Sequence, residues 1–199
     1  MNLHILIGVG AALLLFGWTG PLPGLVPKSF AAHMALHMLV VGIALPLLAA
    51  GVAPYLRGAQ RWPLALPIAV SLVDLVVVWL WHVPALHNAS RVESLVLALE
   101  QASFAGAALL VWLTALSGPA LAGALTLFFT SMHMTLLGAL LSLAPRPIYP
   151  GHTHGGWLGL STIEDQQAGG VVMLTIGGVI YLLGGLVLAA RVLRPVRRS

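Results

Sequence analysis

The chain is built from six long apolar stretches, residues 3–18, 30–53, 63–83, 94–116, 120–144 and 168–193, parted by short segments rich in proline, glycine and charge. In hydrocarbon every backbone N–H and C=O needs a partner within the protein, so stretches of about 20 apolar residues cross a bilayer as helices. The expected fold is all-α: an integral membrane helical bundle of about six transmembrane helices, forming a single domain over residues 1–199. Composition agrees, with 59% hydrophobic and 7% charged residues and a mean hydropathy of +1.00, outside the range of a soluble domain.

Breakers and polar residues refine each span. Gly20, Pro21, Pro23 and Gly24 close the first. No basic residue precedes it, which favours a span over a cleaved signal peptide. Pro46 falls inside the second and is expected to kink it. Pro84 ends the third, and a short loop carrying His87, Arg91 and Glu93 follows. A long loop over residues 145–167 holds His152, His154, Glu164 and Asp165 before the sixth span. There the pairs Gly169 and Gly170, Gly177 and Gly178, and Gly184 and Gly185 recur at near-heptad spacing. Such small residues let backbones approach, so this helix is expected to pack centrally, and a homodimer formed through it stays open.

Six spans put both termini on one side. Arg57, Arg61, Arg191, Arg194, Arg197 and Arg198 share that side, against Lys28, Arg91 and Arg146 on the other, which makes both termini cytoplasmic. The formal net charge of +4 is therefore read as an anchor to anionic lipid rather than a nucleic-acid surface. With that orientation His33, His37, His82, His87, His152 and His154 fall in or near the outer leaflet, and Glu100 enters from the same face. Asp74 and His133 lie near the midplane. An ionisable group in a span costs about 2.5 to 3.5 kcal/mol on insertion scales and usually marks function.

His33 and His37 are spaced i, i+4 on one helix face, with Met34 and Met38 stacked beside them. A second His and Met group, Met132, His133 and Met134, lies in the fifth span. Methionine alone is ordinary core filler, and a lone intramembrane histidine can be a helix-to-helix hydrogen bond. Two adjacent groups in different helices point further, to a metal. The chain has no cysteine, so any ion is held by imidazole, thioether or carboxylate. Imidazole with thioether suits copper, especially Cu(I); imidazole with carboxylate suits Cu(II) or zinc. The candidate metal-binding residues are His33, His37, His82, His133, Met34, Met38, Met134, Asp74 and Glu100. Asp74 or Glu100 could instead orient a ligating imidazole. Trp79, Trp81, Trp157 and Tyr149 read as interfacial aromatics, and His152 and His154 as loop residues.

Several blocks in order carry a family resemblance. They are His33 Met34 through His37 Met38 with Leu45 Pro46 Leu47 Leu48; Trp81 His82 Val83 Pro84 Ala85 Leu86; Glu100 through Phe104; and Gly138 through Pro150, followed by Glu164 Asp165 Gln166 Gln167 Ala168 Gly169 Gly170. Together they resemble the CtaG family of cytochrome c oxidase assembly factors. The resemblance implies a multi-pass protein of the bacterial inner membrane, a non-enzymatic role in copper delivery to the oxidase, and oxidase subunits and a copper donor protein as partners. Two other classes stay open on the residues alone. One is a membrane zinc hydrolase with Asp74 or Glu100 as general base; the other is a haem-binding bundle with axial histidines from two helices.

Overall fold

The computed structural model describes residues 2–56, 63, 65–149 and 159–193. The expectations for Arg57, Arg61, His152, His154, Trp157, Arg194, Arg197 and Arg198 lie outside them. The described residues form helices and connecting turns, with no strand among them. In chain order the helices are α1 (Leu3–Thr19), the single turn α2 (Leu22–Leu25), α3 (Phe30–Met38), α4 (Leu45–Leu56), α5 (Ala65–Trp81), α6 (Pro84–Val92), α7 (Ser94–Ser117), α8 (Ala120–Ser142), α9 (Thr162–Val172) and α10 (Gly178–Val192). A π-helical turn, Leu39–Ala44, joins α3 to α4, and another, Met173–Gly177, joins α9 to α10. Among the described residues, five helical runs are long and apolar enough to span a bilayer, and α5 with α6 makes a sixth if that bent pair counts as one.

The π turn before Pro46 has an identifiable cause. Leu45 N–H donates to the carbonyl of Val40, five residues back. The next carbonyl, Val41, would then require an N–H from residue 46, and proline has none. Tyr181 of α10 supplies the missing donor, its hydroxyl reaching the Val41 oxygen at 3.2 Å. The second span therefore continues as one run, Phe30–Leu56, with Pro46 accommodated by the widened turn.

Two helices extend into segments expected as loop. Pro84 ends α5 but also starts α6, because the first turn of a helix is where a missing N–H costs nothing. α6 bends 71° from α5 and folds over the bundle end. The last span starts at Thr162, since Ser161 and Glu164 close a reciprocal capping box there.

The glycine pairs bring helices close. A Cβ on Gly138 of α8 would stand 2.6 Å from the Leu174 nitrogen, and one on Gly170 would stand 2.6 Å from the Ser142 nitrogen. These contacts lie within the chain, against α8. The last span is nonetheless not the centre of the bundle: Phe30–Leu56 and α8 bury 56% of their most apolar window, the last span 33%. Its outer face, with Val179, Leu183 and Val187, is exposed, as are Phe16, Ile68, Val76 and Leu121 elsewhere. Such a surface is stable against lipid tails.

Candidate metal centre

At one end of the bundle four histidines from three helical elements pack together. Ser29 caps α3, accepting from the Ala32 N–H at 3.1 Å, and sets its first turn. Asp165 of α9 fixes the same end from outside, accepting from the Ser29 hydroxyl and the Phe30 N–H, both at 2.6 Å. From that anchored helix His33 and His37 project one above the other, rings parallel within 6° and centroids 6.3 Å apart. His82 follows α5, and His87 comes from α6. The His33 ring lies 6.0 Å from His82 and 4.9 Å from His87, and His37 lies 5.8 Å from His82. All four are buried.

Aromatic rings wall the cluster. Phe30 stacks on Tyr149 at 4.6 Å, Tyr149 lies 4.4 Å from His87, and Phe104 of α7 lies 4.1 Å from His37. Tyr149 is no interfacial aromatic: it is buried, burial raises its hydroxyl pKa, and it donates to the His82 carbonyl at 2.7 Å. Gln166 holds its segment, accepting from the Ile148 N–H at 2.6 Å and donating to the Leu141 carbonyl at 3.4 Å.

Beside the histidines is a charged pair. Glu100, completely buried in α7, pairs with Arg91 on the last turn of α6. Ser90 donates to the other Glu100 oxygen at 2.9 Å. Arg91 also reaches His33 Nδ1 at 3.0 Å. His33, His87 and Glu100 each offer a ligand atom within 4.8 Å of the others.

The donor chemistry fits a bound ion. His82 Nδ1 lies 2.6 Å from the Val78 carbonyl, which can only accept. The proton is therefore on Nδ1, and the lone pair of the neutral ring is on Nε2, the arrangement common in metal-ligating histidines. His82 Nε2, His33 Nε2 and both His37 nitrogens have no hydrogen-bond partner among the described residues. Buried polar atoms without partners are rare in native proteins. An ion about 2 Å from each nitrogen puts the centroids of rings sharing it roughly 5 to 6 Å apart, the spacing of His82 from His33 and His37; the parallel His33 and His37 rings stand wider, at 6.3 Å.

The remaining candidates lie elsewhere. Asp74 on α5 and His133 on α8 face each other, Oδ2 to Nε2 at 3.3 Å, and these two atoms and His133 Nδ1 are likewise buried without a hydrogen-bond partner among the described residues. His133 also lines a groove with Trp79, Phe129 and Met132. Met34 packs at Gly169, while Met38 and Met134 both border Gly177, so these thioethers fill the seam between α3, α8 and the last span. Sequence reasoning missed His87, Arg91 and Tyr149. The signal for the first two was present: Pro84 at a helix start puts His87 and Arg91 at i, i+4 on one face.

No curated protein and no solved structure matches the chain. The model of the cytochrome c oxidase caa3 assembly factor family, Caa3_CtaG, matches residues 4–195. An all-helical membrane bundle matched over nearly its whole length places the chain within that family, and it belongs to the cytochrome c oxidase caa3 assembly factors.

Proposed function

We propose that this assembly factor binds copper as cargo in the histidine cluster and helps deliver it to a cytochrome c oxidase at the outer face of a bacterial inner membrane. The observation that carries this reading is the meeting of the buried His37 and His82 rings, 5.8 Å apart, whose lone pairs find no donor among the described residues. Neutral imidazoles suit Cu(I) and Cu(II) alike. His33, His37 and His82 would hold the ion, His87 would complete the set, and the backbone bond to Val78 would fix the His82 ring. Glu100 is engaged by Arg91 and Ser90, and Asp74 by His133. Glu100, with both oxygens taken, is therefore not the free general base that a zinc hydrolase at this cluster needs.

The test is metal content of the detergent-purified chain after exposure to Cu(I) and, separately, to Zn(II), followed by washing. Copper retained near one per chain and lost in the His37→Ala, His82→Ala double variant, with helical circular dichroism unchanged, is the expected result. Undiminished copper in that variant rejects the site, and zinc retained without copper transfers the cluster to zinc chemistry.

A further inference from the structure

Resting on that reading, the geometry points to Arg91 as a built-in competitor: its guanidinium bridges His33 and Glu100 at the edge of the histidine cluster, and copper takes His33 as a ligand only as Arg91 leaves it. A guanidinium has donors and no acceptor, so at 3.0 Å from Arg91 the His33 Nδ1 must accept, and the His33 proton is on Nε2. In that state neither nitrogen is open to an ion: Nδ1 is taken by Arg91 and Nε2 carries the proton. Ligation through Nδ1 displaces Arg91 directly. Ligation through Nε2 moves the proton to Nδ1, where it faces the guanidinium donor and breaks the same contact. As a neutral imidazole, His33 cannot hold copper and Arg91 together.

Distance and charge lead to the same exchange. Two ligand atoms on one ion are at most about 4 Å apart, twice a bond of about 2 Å. The ligand atoms of His33, His87 and Glu100 lie within 4.8 Å of one another. A small closure would bring them onto an ion, and the guanidinium already holds two of them, His33 and Glu100. Arg91 is held by His33, Glu100 and Ser90, the last at 2.8 Å from Nη2. Replacing one guanidinium by one Cu(I) leaves the charge beside Glu100 unchanged, so the buried carboxylate is compensated in both states. The released side chain has somewhere to go. It lies on the last turn of α6, one residue before Val92, which is 81% exposed, and two before the exposed Glu93. A carrier must also release its cargo, and a tethered cation that reclaims His33 favours release.

The experiment measures Cu(I) affinity of the full-length chain in detergent by competition with a chromophoric chelator, and thermal midpoint with and without Cu(I). Arg91→Ala removes a like charge from beside His33, so its Cu(I) affinity is expected to rise roughly tenfold or more. Arg91→Lys keeps a competing cation and is expected to stay near wild type. Without metal, Arg91→Ala leaves Glu100 buried and uncompensated and lowers the midpoint; Cu(I) is expected to restore it. Affinity equal to or weaker than wild type, or a lowered midpoint that Cu(I) does not recover, overturns the displacement. Should Arg91→Ala not fold, Arg91→Gln keeps amide donors without the charge and is read identically. Copper bound equally by wild type and Arg91→Ala, and lost with His37 and His82, overturns this inference alone. Copper bound by neither overturns the copper reading as well.

Discussion

Asp165 shows how one side chain can fix the geometry of a site it never touches. Both of its oxygens accept hydrogen bonds at the start of α3, from the Ser29 hydroxyl and the Phe30 N–H, and α3 carries His33 and His37 directly above. Charge-assisted bonds of this kind contribute more than neutral ones, and the carboxylate also sits at the positive end of a helix dipole. Asp165→Ala is expected to lower stability by about 2 to 3 kcal/mol, read as a drop in thermal midpoint in detergent. Asp165→Asn keeps an acceptor oxygen and is expected to lose about half of that. From sequence, an aspartate in the first turn of the last span reads as serving that helix's own dipole. Asp165 does stand in the first turn of that helix, but its contacts to Ser29 and Phe30, the latter 135 residues away, could not be seen from sequence. The i, i+4 spacing of His33 and His37 needs no such partner, and that face was legible directly.

At the scale of elements, local defects are resolved by distant donors. Pro46 leaves Val41 without a backbone donor, and Tyr181 satisfies it. Tyr181→Phe is expected to cost about 1 to 3 kcal/mol by orphaning a buried carbonyl. In a Pro46→Ala background, where an N–H is available at residue 46, the same change is expected to cost less; thermal melts of the four proteins form the cycle. Equal costs in both backgrounds would detach Tyr181 from the proline. Close helix approach gives a second contrast. Gly138→Ala places its methyl group against the backbone of the last span, and is expected to lower the yield of folded protein and its thermal midpoint. Gly106→Ala has nothing within 4 Å and is expected to be neutral or slightly stabilising. The spans were readable because hydropathy is a local property. α6 was missed because proline both ends one helix and begins another, and its second role, at the first turn of residues 84–92, went unread.

Across the whole molecule, the histidine cluster ties together segments far apart in sequence: α3, the α5–α6 bend, α7 through Phe104 and Glu100, and the 148–149 segment through Tyr149. Depth sorting of the histidines from the sequence brought His33, His37 and His82 to one end of the bundle, since every second span ends there. It could not tell which of that end's residues meet. Asp74 and His133 paired with each other, and the methionines turned toward the last span, because rotation of each helix is set by packing and not by hydropathy. An ion held by His33, His37 and His82 would join α3 to the turn that follows α5, where the His82 ring lies 6.0 and 5.8 Å from His33 and His37. A ligand that binds only the folded state stabilises it by about 2.7 kcal/mol at a hundredfold excess over its Kd. Cu(I) at that excess is therefore expected to raise the thermal midpoint of the wild-type chain by several degrees. His82→Ala, which removes the α5 ligand but keeps the α3 pair, is expected to lose most of that rise. Na(I) at the same ionic strength is expected to produce none, because a general salt effect would not depend on His82. A rise that persists in His82→Ala would place the ion on α3 alone, and the joining of α3 to α5 would then belong to the aromatic walls.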